Sequence, residues 1–383
     1  MDAARGCQRR GDQAMRVEGS DRGGISRRAA ALGLLGLTTA PLAGCAGGGD
    51  TTAAAAALRR PLALDVADPI PELVRFATLA ASGHNTQPWR FARAGGGLAL
   101  GGDAARRTPV VDPDDHHLYA SLGCAAENLM LAATAYGLGA AYAFDPATAQ
   151  IRIDLAPTRR SADPLVAAIP RRQCTRAVYS GQAVAAADLT ALQGAAQVDG
   201  VDVRLITDRA GIDRIRDAVI AGNRTQMQDE AFVRELKQWI RFGRAEALRT
   251  GDGLFGPCSG NPALPEPVGR TAFPLVFTVE AETRKYQAQM DSSAGVAVFS
   301  AVRADPEGWA LAGRAYQRFA LQATALGIRH AFVNQPVEVA AMRPSFAEAV
   351  GFGGRRVDLV VRFGYAPELP FSLRRPVSAV LAS

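Results

Sequence analysis

The sequence predicts an α+β fold laid out as two tandem halves, and three observations predict it. Helix-period apolar runs alternate with short strand-like runs from about residue 61 onward. The apolar helix and closing glycine of Ala126–Gly139 are echoed by Arg318–Ile328. Polar and basic motifs suited to ligand contact are split between the two blocks, and neither block holds a full set.

The first 45 residues stand apart. Ser26-Arg27-Arg28 precedes an uncharged stretch, Ala29 to Gly44, that ends in Leu42-Ala43-Gly44-Cys45. A charged n-region, a short apolar h-region and a small-residue cleavage site make a signal peptide. The stretch is shorter than the ~20 apolar residues a membrane span needs. Paired arginines point to the twin-arginine export route. The last four residues resemble a bacterial lipobox, with Cys45 as the lipidated residue. The expectation is a periplasmic or otherwise extracytoplasmic protein held by a lipid anchor, with a plain cleaved signal as the alternative.

That segment changes the totals. Residues 1–28 carry seven Arg against four acidic groups, 7 − 4 = +3, which is half of the formal +6 of the 383-residue chain. The remainder is only mildly basic, which argues against a nucleic-acid footprint. Cys124, Cys174 and Cys258 remain beyond the signal, without the spacing of a disulfide framework or a zinc site.

Residues 46–60 are rich in Gly, Ala and Thr and read as a flexible tether. The first half, 61–165, opens with a helix over 71–81, in which Leu73, Phe76, Ala77 and Ala80 share a face. A loop and a strand from Pro88 follow, then a hairpin through Gly95–Leu100. The long helix Leu118–Tyr136 ends at Gly137, and strands follow near 140–144 and 151–155. The second half, 166–383, holds a strand at Val201–Thr207, a helical stretch over 208–248 and a Gly/Pro-rich segment, 251–274, expected to be an irregular lid. Strand Leu275–Glu280, helix Gly308–Leu326, strand Val357–Phe363 and a Pro-rich tail complete it.

The most informative stretch is Ser82-Gly83-His84-Asn85-Thr86-Gln87-Pro88-Trp89. Short side chains and a glycine let backbone N–H groups approach a flat ligand, while Ser82, Asn85 and Gln87 supply donors and acceptors. The string resembles the flavin-contacting loop of the nitroreductase superfamily. Arg171-Arg172-Gln173-Cys174-Thr175-Arg176 is similar to that family's opening Arg-x-Ser-x-Arg motif, with Cys174 where the family usually has Ser or Thr. The closing Arg362–Pro367 and Leu373-Arg374-Arg375-Pro376 resemble its final strand and basic tail, and Gly327–Pro336 its ring-facing segment.

The resemblance covers most of residues 65–383 and implies a nitroreductase-like FMN-binding fold. In this reading two subunits are fused into an intramolecular pseudo-dimer, as in the Acg-like branch, with one FMN and no further subunit. It implies that Ser82, His84, Asn85 and Gln87 contact the flavin. Arg172, Arg374 and Arg375 would hold the phosphate, and Cys174 would weaken one contact there. Arg176 would sit beside the pyrimidine edge, with Asn334 and Gln335 along the ring. The implied activity passes a hydride from NAD(P)H through FMN to a nitroaromatic, quinone or similar acceptor, with no catalytic protein nucleophile. A non-catalytic FMN-sequestering protein with a closed lid is the alternative. Asp112, Asp114, Asp115, His116 and His117 read as a polar turn at a helix start, and no metal is expected.

Overall fold

The computed structural model describes residues 50–161 and 163–382, so the export signal and Cys45 lie outside the described residues. The order is α1 (Thr51–Leu58), α2 (Ile70–Thr78), β1 (Trp89–Ala94), β2 (Gly97–Gly102), α3 (His116–Ala135), β3 (Leu138–Asp145) and β4 (Gln150–Pro157). Then come α4 (Ala186–Ala195), β5 (Val201–Ile206), α5 (Arg209–Gln228), α6 (Glu230–Trp239), β6 (Ile240–Arg241), α7 (Arg244–Thr250) and β7 (Leu254–Phe255). The chain ends with α8 (Glu266–Val276), α9 (Val279–Asp291), β8 (Gly295–Ala301), α10 (Pro306–Ala325), β9 (Arg329–Phe332), α11 (Gln335–Glu338), α12 (Arg343–Ala349) and β10 (Leu359–Gly364).

The two halves repeat one topology. Each has a four-stranded antiparallel sheet, ordered β1-β2-β4-β3 in the first and β5-β8-β10-β9 in the second. In each, one long helix, α3 or α10, links the second and third strands in chain order. These two helices pack against each other through small residues. A Cβ at Gly123 would stand 1.8 Å from the Ala310 carbonyl oxygen, and one at Gly313 would stand 1.9 Å from that of Ala120. Polar pairs are repeated beside the crossing. Glu127 accepts from Arg314 and Arg318 at 2.8 Å each, and Gln317 donates to Asn128 at 2.7 Å.

The C-terminal tail returns to the first half. The Phe91 N–H donates to the Val380 carbonyl and the Ala382 N–H to that of Phe91, each at 2.8 Å. This adds backbone partners to the open edge of β1, the side a sheet otherwise leaves unpaired. One core runs through both halves, from Trp89, Phe91 and Leu129 to Phe299, Phe319 and Phe363.

Three expectations need correction. Residues 51–58 of the expected tether form α1, because Asp50 caps it by accepting from the Thr52 N–H, and Ala55 buries against Ala247 and Phe255. The expected strand 275–280 is absent. Its residues end α8 and begin α9, where Thr278 accepts from the Ala281 N–H as an N-cap. The last part of the expected irregular lid, from Glu266 onward, is likewise helical. Pro267 sits in the first turn of α8, where its missing N–H costs nothing.

Candidate functional site

A cavity of about 540 Å³ opens among the Ser82–His84 loop, the start of α3, α5, the 254–277 cover and the Phe332–Gln335 segment. That is within the roughly 300–1,000 Å³ usual for cofactor and ligand sites. Both halves build it. Ser82, His84 and His117 come from the first, and Arg176, Asn223, Gln335 and the roofing Phe273 and Phe277 from the second. The loop is strained: His84, Asn85 and Gln87 all have positive φ, at 47°, 54° and 54°. Non-glycine residues persist in that region only when their surroundings fix them, and such strain gathers at functional sites.

The cavity wall carries polar atoms that lack partners. Nδ1 of His84, Nδ2 of Asn223 and Oε1 of Gln335 are buried with no hydrogen bond. Leaving such a group unpaired costs about 1–3 kcal/mol, so a polar molecule in the cavity would be favoured at these atoms. Arg176 also lines the cavity, and only its backbone carbonyl is engaged, accepting from Gln289 at 2.7 Å. Burial, then the neighbouring Arg176 charge, hold His84 down at about 4, so it is neutral at pH 7.

His117 is oriented from both ends. Asn334 Oδ1 accepts from the Val360 N–H at 2.9 Å, which turns Nδ2 toward Nε2 of His117 at 3.3 Å. Nε2 must then accept, and the proton sits on Nδ1, which faces Asp112 at 3.7 Å. Burial also lowers the His117 pKa and raises that of Glu338, which accepts from Gln226 at 2.6 Å on the same wall.

The structure brings Ser82, His84, Arg176, Asn334 and Gln335 to the cavity, and it places the other expected site residues elsewhere. Asn85 donates to the carbonyls of Gly253 and Leu373 at 3.0 and 3.2 Å and accepts from Arg374 at 2.9 Å. Gln87 donates to Gly251 and accepts from the Arg375 N–H, each at 2.8 Å. These two side chains tie the loop to the 251–253 turn and to the tail.

Two of the arginines expected to hold phosphate bond to the end of α2. Arg374 donates to the carbonyls of Thr78 at 2.7 Å and Ala80 at 3.1 Å, and Arg172 donates to that of Leu79 at 2.8 Å. Two guanidinium groups thus meet the carbonyls left open where α2 ends. Burial, then Arg172, lower the pKa of Arg374 to about 9. Arg375 donates to Ala379 at 2.9 Å. Cys174 lies beside Arg172 and Tyr316, 3.6 Å from each, away from the cavity. Burial alone would raise its thiol, but the nearby His330 ring and the Arg172 charge outweigh it and pull the pKa down.

Sequence reasoning missed Asn223, His117 and Lys285, which also line the cavity. Gly222-Asn223 in mid-helix was a usable signal, since both residues are poor helix formers. A Cβ at Gly222 would lie 2.8 Å from that of Gln335, so the pair marks a close approach at the wall.

No family profile matches the sequence. Two curated relatives, from two strains of Mycobacterium tuberculosis and each named "Putative NAD(P)H nitroreductase", are 29% identical over 342 residues, covering 84% of this chain and 94% of theirs. Among solved structures, the FMN-dependent nitroreductase of Mycobacterium smegmatis in complex with NADPH overlays 52% of this chain and 86% of its own, at 15% identity and a TM-score of 0.35. The NADPH:FMN oxidoreductase of Vibrio harveyi with NAD+ overlays 58% and 77%, at 13% identity and the same TM-score of 0.35. Neither overlay is close enough to carry an argument. The two relatives, matched over nearly their whole length, support placing this chain with the nitroreductase superfamily.

Proposed function

We propose that the chain is an NAD(P)H-dependent FMN oxidoreductase, an intramolecular pseudo-dimer with a single flavin site in the two-half cavity. The observation that carries the reading is the set of orphaned polar atoms of His84, Asn223 and Gln335 beside the free guanidinium of Arg176. A flavin mononucleotide has a flat apolar body, a polar pyrimidine edge and an anionic tail. Aromatic walls, an amide donor, an amide acceptor and Arg176 match the body and its polar edge, and Lys285, which also pairs with Glu282 at 3.1 Å, is the other cation on the wall for the anionic tail. FMN bound there would supply a two-electron relay from a nicotinamide to a nitroaromatic, quinone or similar acceptor.

The chain's own residues would hold and shield it. Asn223 and Gln335 would satisfy the polar edge, Arg176 would favour an electron-rich ring, and Phe273 and Phe277 would exclude water. Anaerobic addition of NADPH or NADH to the yellow purified protein tests the reading. Bleaching near 450 nm within a turnover, as expected of flavins generally, followed by recovery on adding a quinone, is the expected result. A bound flavin that neither nucleotide bleaches would contradict turnover and point to sequestration.

A further inference from the structure

We propose that the outer face of α8 docks on an anionic lipid bilayer, and that an apolar acceptor of the quinone class enters the cavity from that bilayer. This rests on the oxidoreductase reading above. Among the described residues, nine large hydrophobic side chains are exposed, and four of them, Leu264, Val268, Leu275 and Val276, fall in one short stretch. Single exposed apolar residues are ordinary, but a cluster marks an interaction surface. Val268 is 53% exposed and Leu275 77%, and their seven-residue spacing puts them on one face of α8.

The same stretch is the cavity's rim. Leu264 and Val276 line the cavity and also reach solvent, so an apolar molecule held at this face would meet an apolar opening. Charge complements the face. Arg244 and Arg249 on α7 are exposed and pair with no acidic group among the described residues. α7 adjoins α8, since Arg270 bonds Glu246 at 2.7 Å and a Cβ at Gly243 would lie 3.3 Å from the Leu264 carbonyl. Cations beside an apolar face suit the headgroup region of an anionic leaflet. α1 packs on α7 beside this face, through Ala55 against Ala247.

One short face gives weak, reversible binding, so the test uses vesicles and the compact unit Gly48–Ser383, which lacks the apolar signal. The unit should sediment with phosphatidylglycerol-containing vesicles and much less with pure phosphatidylcholine. Val268→Asp with Leu275→Asp should lower that partitioning at least about tenfold. Turnover should fall with a quinone dissolved in the vesicles and stay unchanged with a water-soluble one. Arg244→Gln and Arg249→Gln together should erase the anionic preference. If the aspartate pair fails to fold, Val268→Ser with Leu275→Ser repeats the test. Absent vesicle binding, unaltered binding by the variants, or a concentration-dependent dimer that the variants dissolve would overturn the proposal. Vesicle binding by a protein that no nucleotide bleaches would instead count against the oxidoreductase reading alone.

Discussion

Gly123→Val and Gly313→Val should each lower stability by roughly 3 kcal/mol or more, or prevent folding altogether. The added Cβ would stand 1.8 or 1.9 Å from a carbonyl oxygen on the facing helix. Backbone cannot rotate away as a flexible side chain can, so α3 and α10 must separate. That would open the core they share and stretch the Glu127–Arg314 and Glu127–Arg318 ion pairs and the Gln317–Asn128 bond beside it. Because the two glycines hold equivalent places in the repeated topology, the two losses should be similar. Gly194→Ala is the control. It sits in α4 with nothing within 4 Å, and there the change should stabilise by about 0.4–1 kcal/mol. Thermal melting of the three variants checks this, and an unshifted transition in Gly123→Val would show that the halves are not locked at that crossing.

Arg374→Ala should destabilise the flavin-free protein by roughly 2–4 kcal/mol. Its guanidinium is buried and donates to Thr78, Ala80 and Asn85, so truncation leaves the end of α2 and the strained loop without partners together. A phosphate ligand would behave differently, because its loss weakens the cofactor and leaves the free protein intact. Denaturant unfolding of the flavin-free variant separates the two. A free protein as stable as wild type, with only flavin affinity reduced, would return Arg374 to the ligand.

These two effects show where the sequence was legible. Amphipathic spacing and glycine stops located α2, α3 and α10, and short strand-like runs located β1, β4 and β5, because those elements bury one face against the common core. The 275–280 segment misled. Leu275-Val276-Phe277 has strand composition, but the Thr278 cap and the amphipathic run after it favour helix. The site was legible as a loop but not in its division of labour. An arginine pair reads the same whether it meets phosphate or helix-end carbonyls, and only the fold brings Arg172 and Arg374 to the end of α2. Arg176 was separable from Arg172 only by its position after the turn, which faces it into the cavity. Asn223 lies in the helical stretch 208–248, to which no ligand contact was assigned, and the close approach of Gly222 to Gln335 is what places it on the wall.

The central claim is one flavin per chain, held in a cavity that both halves build. Titrating flavin-free protein with FMN, followed by fluorescence quenching, tests it most directly. The account predicts saturation at about one equivalent, as for a single site. Arg176→Gln, which leaves no buried carbonyl unpaired, should weaken the affinity about ten- to a hundredfold with an unchanged melting temperature. Saturation at two equivalents, no binding, or an Arg176→Gln protein that binds FMN as tightly as wild type would contradict it.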